Sequence, residues 1–569
     1  MKLFSRLLSV GVFLLLVFGP AEAQQDVPDI IIVNANVFTA SELHPHAEAI
    51  AIKGDRILAV DTNEKISSLA GPKTKRIDVG SRLVIPGIMD THNHYSGAEL
   101  ATVTHMDFGE WAPSCKRVLE MVSQKLKSVP TGTLLFGFTG PDAFFDPECT
   151  PAALDQIAPQ NPVFLAAGTP HAGMLNRSAV KWFGIDTNAP PPLAGWYGKH
   201  TKSKTWDGVV HNSAAISLII RTVDQGFQDD DRLRKYFLAQ AKWGITSNTF
   251  LEYSPGSRIE QLARVNATHR VRVVPFAQYE SNQTRRRLQQ MVVPANIADR
   301  VTSRDEKWLL DGSPVERSAP MRMPYADDPS TSGQLDYPRS ELRAILVEAL
   351  EHGQRLMLHA TGDRTAECLF EEMEATGGEK VWAQRRLRVE HGDGVITDLI
   401  PRAKKLGVIV AQNPAHFVGD LAVKRLGPER AANWAPFKSL ADSGVPIVIA
   451  SDAGPGDTEA NPFLNIQLAI TYPANPKEAI TREQALIAYT RTAAYSEFMD
   501  DRLGTLEPGK LADLAVLSQD IFKVSNDDLP KTESVLTIVG GKIAYGRDPI
   551  ERTGTAGPLK DYKDSPPSL

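Results

Sequence analysis

Cysteine is scarce: three residues in a chain of 569. That count excludes a disulfide framework and leaves at least one thiol unpaired. A dominant charge of one sign is missing too. Lys and Arg total 62 against 68 Asp and Glu, a formal charge of −6, so the chain carries no basic footprint for nucleic acid or an anionic membrane. Past the N-terminus no apolar run reaches the roughly 18 residues that a spanning helix needs. Internal repeats and phosphate-cradling glycine loops are also absent from the sequence. What is present is ordinary globular composition, 42% apolar and 23% charged, which excludes disorder, collagen and coiled coil as the main architecture. The length implies more than one core. A prior of roughly 150 residues per domain gives about four units, although one α/β barrel can absorb about 250 residues or more.

Residues 1–23 read as a secretory signal peptide. Lys2 and Arg6 form a positive start, Leu7 to Phe18 an apolar run, and Ala21-Glu22-Ala23 a small-x-small cleavage site. The run is too short to cross a hydrocarbon core of about 30 Å comfortably. The mature chain is therefore expected to be exported, periplasmic or secreted, without membrane contact once the leader is removed.

After the leader comes strand after strand: Ile30-Ile31-Ile32-Val33, Ala49-Ile50-Ala51-Ile52 and Ile57-Leu58-Ala59-Val60, the last two separated by a Gly54-Asp55 turn. The same texture returns at Leu514-Ala515-Val516-Leu517 and Val535-Leu536-Thr537-Ile538-Val539. Two β-rich ends predict one small β-sandwich domain assembled from 27–86 and 503–550. Between them, amphipathic stretches alternate with short apolar strands. Ser340 to His352 precedes Arg355-Leu356-Met357-Leu358, and Phe437 to Ser443 precedes Ile447-Val448-Ile449-Ala450. That alternation predicts βα units and a parallel sheet, an α/β barrel over 87–502. Residues from about 105 to 235 break the rhythm with Trp and Pro clusters and read as an insertion able to roof a site. Residues 553–569, rich in Gly, Pro, Ser and Lys, read as a disordered tail.

Five segments place a polar group at or near the end of an apolar strand, where a barrel opens its active-site mouth. In Ile88-Met89-Asp90-Thr91-His92-Asn93-His94, strand alternation turns His92 and His94 the same way, so two imidazoles can face one metal ion. His359 closes Leu356-Met357-Leu358, His391 closes Leu387-Arg388-Val389-Glu390, and Asp452 closes Val448-Ile449-Ala450-Ser451. Lys307 lies on the apolar segment Lys307-Trp308-Leu309-Leu310-Asp311-Gly312-Ser313. A buried lysine is costly when charged, and a neutral amine can add CO2 to give an anionic carbamate able to bridge two cations. Each residue taken singly has a bland reading, as a buried hydrogen-bonded His, a capping Asp or a salt-bridged Lys. Their joint order is what points to a metal site.

These motifs together resemble the amidohydrolase superfamily, and within it the amidohydrolase-3 or YtcJ-like branch, which includes N-substituted formamide deformylases. The carriers are PGIMDTHNH, KWLLDGS with Tyr325-Ala326-Asp327-Asp328-Pro329 behind it, LHATGDR, RVEHGD, NPAHF and SDAGP, and the closing LGTLEPGKLADL. The resemblance implies a (β/α)8 TIM-like metal-dependent hydrolase barrel holding one or two divalent ions. Zn suits thiolate-free imidazole and carboxylate ligands, with Mn, Fe or Co as alternatives. By the same resemblance, His92 and His94 would bind the more buried ion, carbamylated Lys307 would bridge to a second, and His359 and His391 would bind that second ion. Asp452 would ligate the first ion and act as catalytic proton shuttle. His171, His416 and Arg364 are implied on the substrate side.

The resemblance also implies hydrolysis of a non-peptide C–N bond in a small molecule. An ester, lactone or phosphoester hydrolase on the same site, or a non-catalytic binding protein, stands as the alternative, and a homo-oligomer is left open. Departures from the family pattern at Gly312-Ser313-Pro314-Val315-Glu316-Arg317 and Asn248-Thr249-Phe250-Leu251-Glu252 fall where pocket walls would be, so relatives' substrates do not transfer.

Overall fold

The computed structural model describes residues 27–95, 103–108, 113–199, 203, 205–223, 229–277, 279–281, 284–285, 291–303, 305–417, 421–453 and 460–546. The leader 1–23, the tail 553–569 and Gly454-Pro455-Gly456-Asp457 lie outside these residues.

Eight parallel strands form the frame. The first is Ile88–Asn93, followed by Ile245–Glu252 and Arg270–Pro275, all pairing in parallel. The fourth to eighth are Asp305–Leu309, Arg355–Ala360, Arg388–His391, Ile409–Gln412 and Ile447–Ile449, again parallel throughout. A parallel bridge between Phe276 and Lys307 joins the third strand to the fourth. At the other seam the Asp452 N–H donates to the His92 carbonyl at 2.9 Å, and the His94 N–H to Ala453 at 3.0 Å. The eighth strand is thereby laid beside the first, and the ring closes.

Local sequence explains the alternation. The sixth to eighth strands are buried along their whole length, as a parallel sheet covered on both faces requires. Helix Arg339–His352 buries Leu342, Ile345, Leu346 and Ala349, one stripe at helical spacing, and stops at Gly353, whose φ of +67° favours glycine. That stripe joins Leu356 and Leu358 of the next strand in one large core.

Both termini build the small β-domain. One sheet orders Arg56–Asp61, Ala49–Lys53, Ile30–Val33 and Lys75–Asp78. The other runs Lys542–Gly546, Ser534–Val539, Leu514–Leu517, Leu83–Pro86, Asn36–Phe38 and His46–Ala47. Ile32, Ile50, Val84, Leu514, Val516 and Ile538 share the core between them. A buried fork ties this domain to the barrel: Arg270 meets Asp513 at 2.7 Å and 3.0 Å through Nε and Nη2.

Between the first and second barrel strands the chain builds a separate six-stranded mixed sheet, ordered Gly195–Lys199, Trp206–Asn212, Ala172–Leu175, Val163–Ala167, Leu134–Thr139 and Val103–His105. It has its own cores on two faces. Its last helix is Ser213–Val223, whereas helix Asp230–Lys242 carries Leu233 and Phe237 into a core with Phe250 of the second barrel strand.

Candidate metal centre

The ends of the barrel strands bring the polar groups together. His92 is the fifth residue of the first strand and His94 follows the strand's last residue; Asp452 comes three residues after the eighth strand. Asp452 Oδ1 lies 3.1 Å from His92 Nε2 and 2.9 Å from His94 Nε2. Its other oxygen lies 3.7 Å from His391 Nδ1 and 3.4 Å from His416 Nε2. One carboxylate is therefore shared by two sets of donors, His92/His94 and His391/His416, each set with ligand atoms within 4.8 Å of one another.

Backbone geometry contributes to this convergence. His391 and Asp452 both sit at positive φ, +64° and +54°, a left-handed region that non-glycine residues enter uncommonly and that clusters at functional sites. Ser451 anchors the turn, its N–H and hydroxyl donating to Asp90 at 3.0 Å and 2.7 Å.

Each principal imidazole has one nitrogen committed elsewhere. His92 Nδ1 lies 2.5 Å from Glu390 Oε2, His391 Nδ1 lies 2.9 Å from Asn413 Oδ1, and His359 Nε2 lies 3.0 Å from the Gly312 carbonyl. With that nitrogen donating, the other keeps its lone pair, the state a metal ligand requires. Burial first, then neighbouring cationic or imidazole groups, hold His359 and His391 well below the usual imidazole range, so both are neutral donors. Burial raises Asp452, but the imidazoles of His92 and His391, with His94 beside them, outweigh it and hold the carboxyl well below the usual carboxylate range.

Lys307, on the fourth strand, is 1% exposed, and its Nζ has no hydrogen-bond partner among the described residues. Burial brings its pKa down to about 8, although Glu390 and Asp452 pull the other way. An orphaned, easily neutralised amine beside an imidazole–carboxylate cluster is compatible with a cation-binding site. The donor set is nitrogen and oxygen only, because the described cysteines Cys115, Cys149 and Cys368 belong to neither ligand group.

Other candidates fall differently. His359 joins neither three-residue ligand group, but its ring stands 4.5 Å from that of His391. His416, read from sequence as a substrate contact, instead approaches Asp452 as a donor of the second group. His171 reaches the centre from the insertion, its ring 4.6 Å from that of His359. Arg364 is not brought there: its guanidinium pairs with Glu367 one helical turn along, and the side chain is 46% exposed. A long side chain in the first turn of a helix follows its own i,i+3 neighbour when that neighbour is a carboxylate.

Sequence reasoning did not single out Glu390 or Asn413, although both stood inside quoted motifs, one beside His391 and the other before Pro414. It also missed Glu316. That buried carboxyl accepts from the Thr169 hydroxyl of the insertion and is pushed up to about 7 by burial, against that hydrogen bond and one from Ser313.

Comparison with known proteins places the chain in a family of hydrolases. The amidohydrolase family model matches residues 75–545. The chain is 26% identical over 548 residues to Protein LONG AFTER FAR-RED 3 of Arabidopsis thaliana, covering 91% of this chain and 92% of that one. It is 26% identical over 553 residues to the N-substituted formamide deformylase of Arthrobacter pascens, covering 93% and 99%. Among solved structures, an uncharacterized metal-dependent hydrolase from Pyrococcus furiosus superposes with a TM-score of 0.60 at 22% identity, over 87% of this chain and 100% of that one.

Proposed function

The chain belongs to the amidohydrolase family, and we propose that it is an exported metal-dependent hydrolase that cleaves a non-peptide carbon–nitrogen bond of a small molecule. The bond class is an amide, formamide or cyclic amide. One observation carries the reading: the Asp452 carboxylate is shared between two imidazole pairs, next to a buried lysine without a partner. The full-length match to a formamide deformylase supports the choice of C–N over C–O bonds. Export rests on the leader pattern of residues 1–23.

His92, His94 and Asp452 would hold one divalent ion, and His391 with His359 or His416 a second. Zn is the first choice for such ligands. When bound, the ion polarises a carbonyl and acidifies water. Asp452, held ionised by its imidazoles, accepts the proton of the attacking water and returns it to the leaving nitrogen, base and then acid. Glu390 and Asn413 fix the ring orientations of His92 and His391. Lys307 as a carbamate would supply an anionic oxygen between the two ion sites. His171, whose ring lies 4.6 Å from that of His359, would face the substrate from the insertion.

A hydrolysis screen of N-formyl, N-acyl, cyclic amide, ester and lactone compounds, run with and without chelator, tests the reading. Turnover of a C–N substrate that is lost on chelation and restored by Zn supports it. Turnover confined to esters or lactones, or indifferent to chelator, overturns it.

A further inference from the structure

The insertion holds a feature that the hydrolytic centre does not use. Cys115 is the first residue of helix Cys115–Leu126, and Cys149 lies in the turn just before helix Pro151–Ile157. Both are almost fully buried, at 4% and 2% exposure, in one core with Met106, Phe108, Leu135 and Phe144. The two thiols are neighbours in that core, each acting on the other's titration. The third cysteine, Cys368, sits on helix Asp363–Thr376 beside the barrel. The helices are anchored independently of the thiols, since Ser114 caps the first and Thr150 the second through their side chains. The two cysteines thus enter one packed core from the starts of two anchored helices.

We infer that Cys115 and Cys149 form a disulfide that cross-links the outer layer of the insertion when the chain folds in an oxidising compartment. A bridge needs its two thiols side by side, as neighbours in one core are, and secreted proteins meet the oxidant, so the inference rests on the export proposed above. The balance is that of thiol–disulfide exchange. One thiolate attacks a disulfide oxidant, protein or small molecule, and expels a thiolate; the second thiolate then displaces the remaining half. Two electrons pass to the oxidant, which leaves as two thiols carrying the two protons. Burial pushes both thiols up, so the exchange belongs to folding, before the core closes over them. The bond would stiffen the sheet whose strand Ala172–Leu175 follows His171, since Ala172 and Met174 lie in the same core as both sulfurs.

The test uses the full chain, refolded from denaturant with oxidised glutathione, then denatured, alkylated without reduction and mapped by mass spectrometry. The expected result is a peptide pair joining Cys115 to Cys149, with the alkyl label on Cys368 alone. Label on all three cysteines, or a bridge that includes Cys368, overturns the inference. A Cys368→Ser variant gives a second reading by thiol titration of the denatured, unreduced chain. No titratable thiol is expected, and two thiols overturn it.

Discussion

His92 Nδ1 and Glu390 Oε2 lie 2.5 Å apart at the floor of the centre, although 298 residues separate them in the chain. The carboxylate is 0% exposed and is braced on its other side by the Arg388 guanidinium at 2.9 Å. Burial raises such a group, but Arg388 and His92 outweigh it and bring Glu390 down to about 2. An ionised Glu390 fixes the Nδ1–H tautomer of His92, and so directs the Nε2 lone pair towards the ion site beside Asp452.

Glu390→Gln keeps the shape and loses the charge. Metal affinity should fall about 10- to 100-fold, the usual effect of removing a partner behind a ligating histidine, as read by competition with a chromogenic chelator. Glu390→Ala leaves Arg388 buried without its main partner and should destabilise the fold by about 3–5 kcal/mol, measured by urea unfolding. Unchanged metal affinity in the Gln variant would show that the contact is structural only.

Asp452→Asn removes the proton carrier and one charge from both donor sets. Turnover should fall by about 10²- to 10⁴-fold, with little change in melting temperature because the amide fills the same space. Full activity in this variant would remove Asp452 from the chemistry.

Lys307→Met replaces a buried amine that has no partner with an apolar side chain of similar length. Stability without metal should hold or rise, since no hydrogen bond is lost and a desolvated amine is removed. The metal-to-protein ratio should drop, read by atomic spectroscopy on protein incubated with bicarbonate and Zn. An unaltered ratio would count against a bridging role.

Glu316, which belongs to neither ligand group, gives a pH signature of its own. Its folded value of about 7 lies above the ordinary 4.5, so the native state keeps a proton that the unfolded chain releases. Stability from this group is then present at low pH and is lost as pH climbs from about 4.5 through about 7. Glu316→Gln should flatten that segment of the profile, with the melting temperature gaining over wild type at about pH 8 and little at about pH 5. Parallel profiles would place the titration elsewhere.

The legible part of the site followed from period and position. His92 and His94 could be read because strand alternation sends i and i+2 to one side. His391 and Asp452 could be read because each closes an apolar run where a barrel opens; His359, read in the same way, joins neither ligand group. Arg364 misled because a motif position does not say where a long side chain finds its partner, and Glu367 was closer. His416 stood in a quoted motif, but its approach to Asp452 depends on the turn Pro414–Phe417 after the seventh strand, which no periodicity announces. The insertion was legible as a break in rhythm able to roof a site, but its six-stranded sheet was not. Its runs, such as Leu134–Thr139 and Val163–Ala167, look like any short buried strand until they pair with each other.

By itself the sequence determined the ordering of βα units, the β-rich ends and the residue types able to bind a cation. Those features rest on local chemistry: apolar period, turn residues, and imidazole, carboxylate and amine at strand ends. Tertiary structure alone decided which ring nitrogen of His92, His359 and His391 meets another residue, that Asp452 serves two donor pairs, and that Lys307 is orphaned. It also decided that two of the scarce cysteines share one buried core. Each of these is a distance between residues far apart in the chain, set by ring closure of the barrel and by packing of the insertion, and no local pattern encodes it.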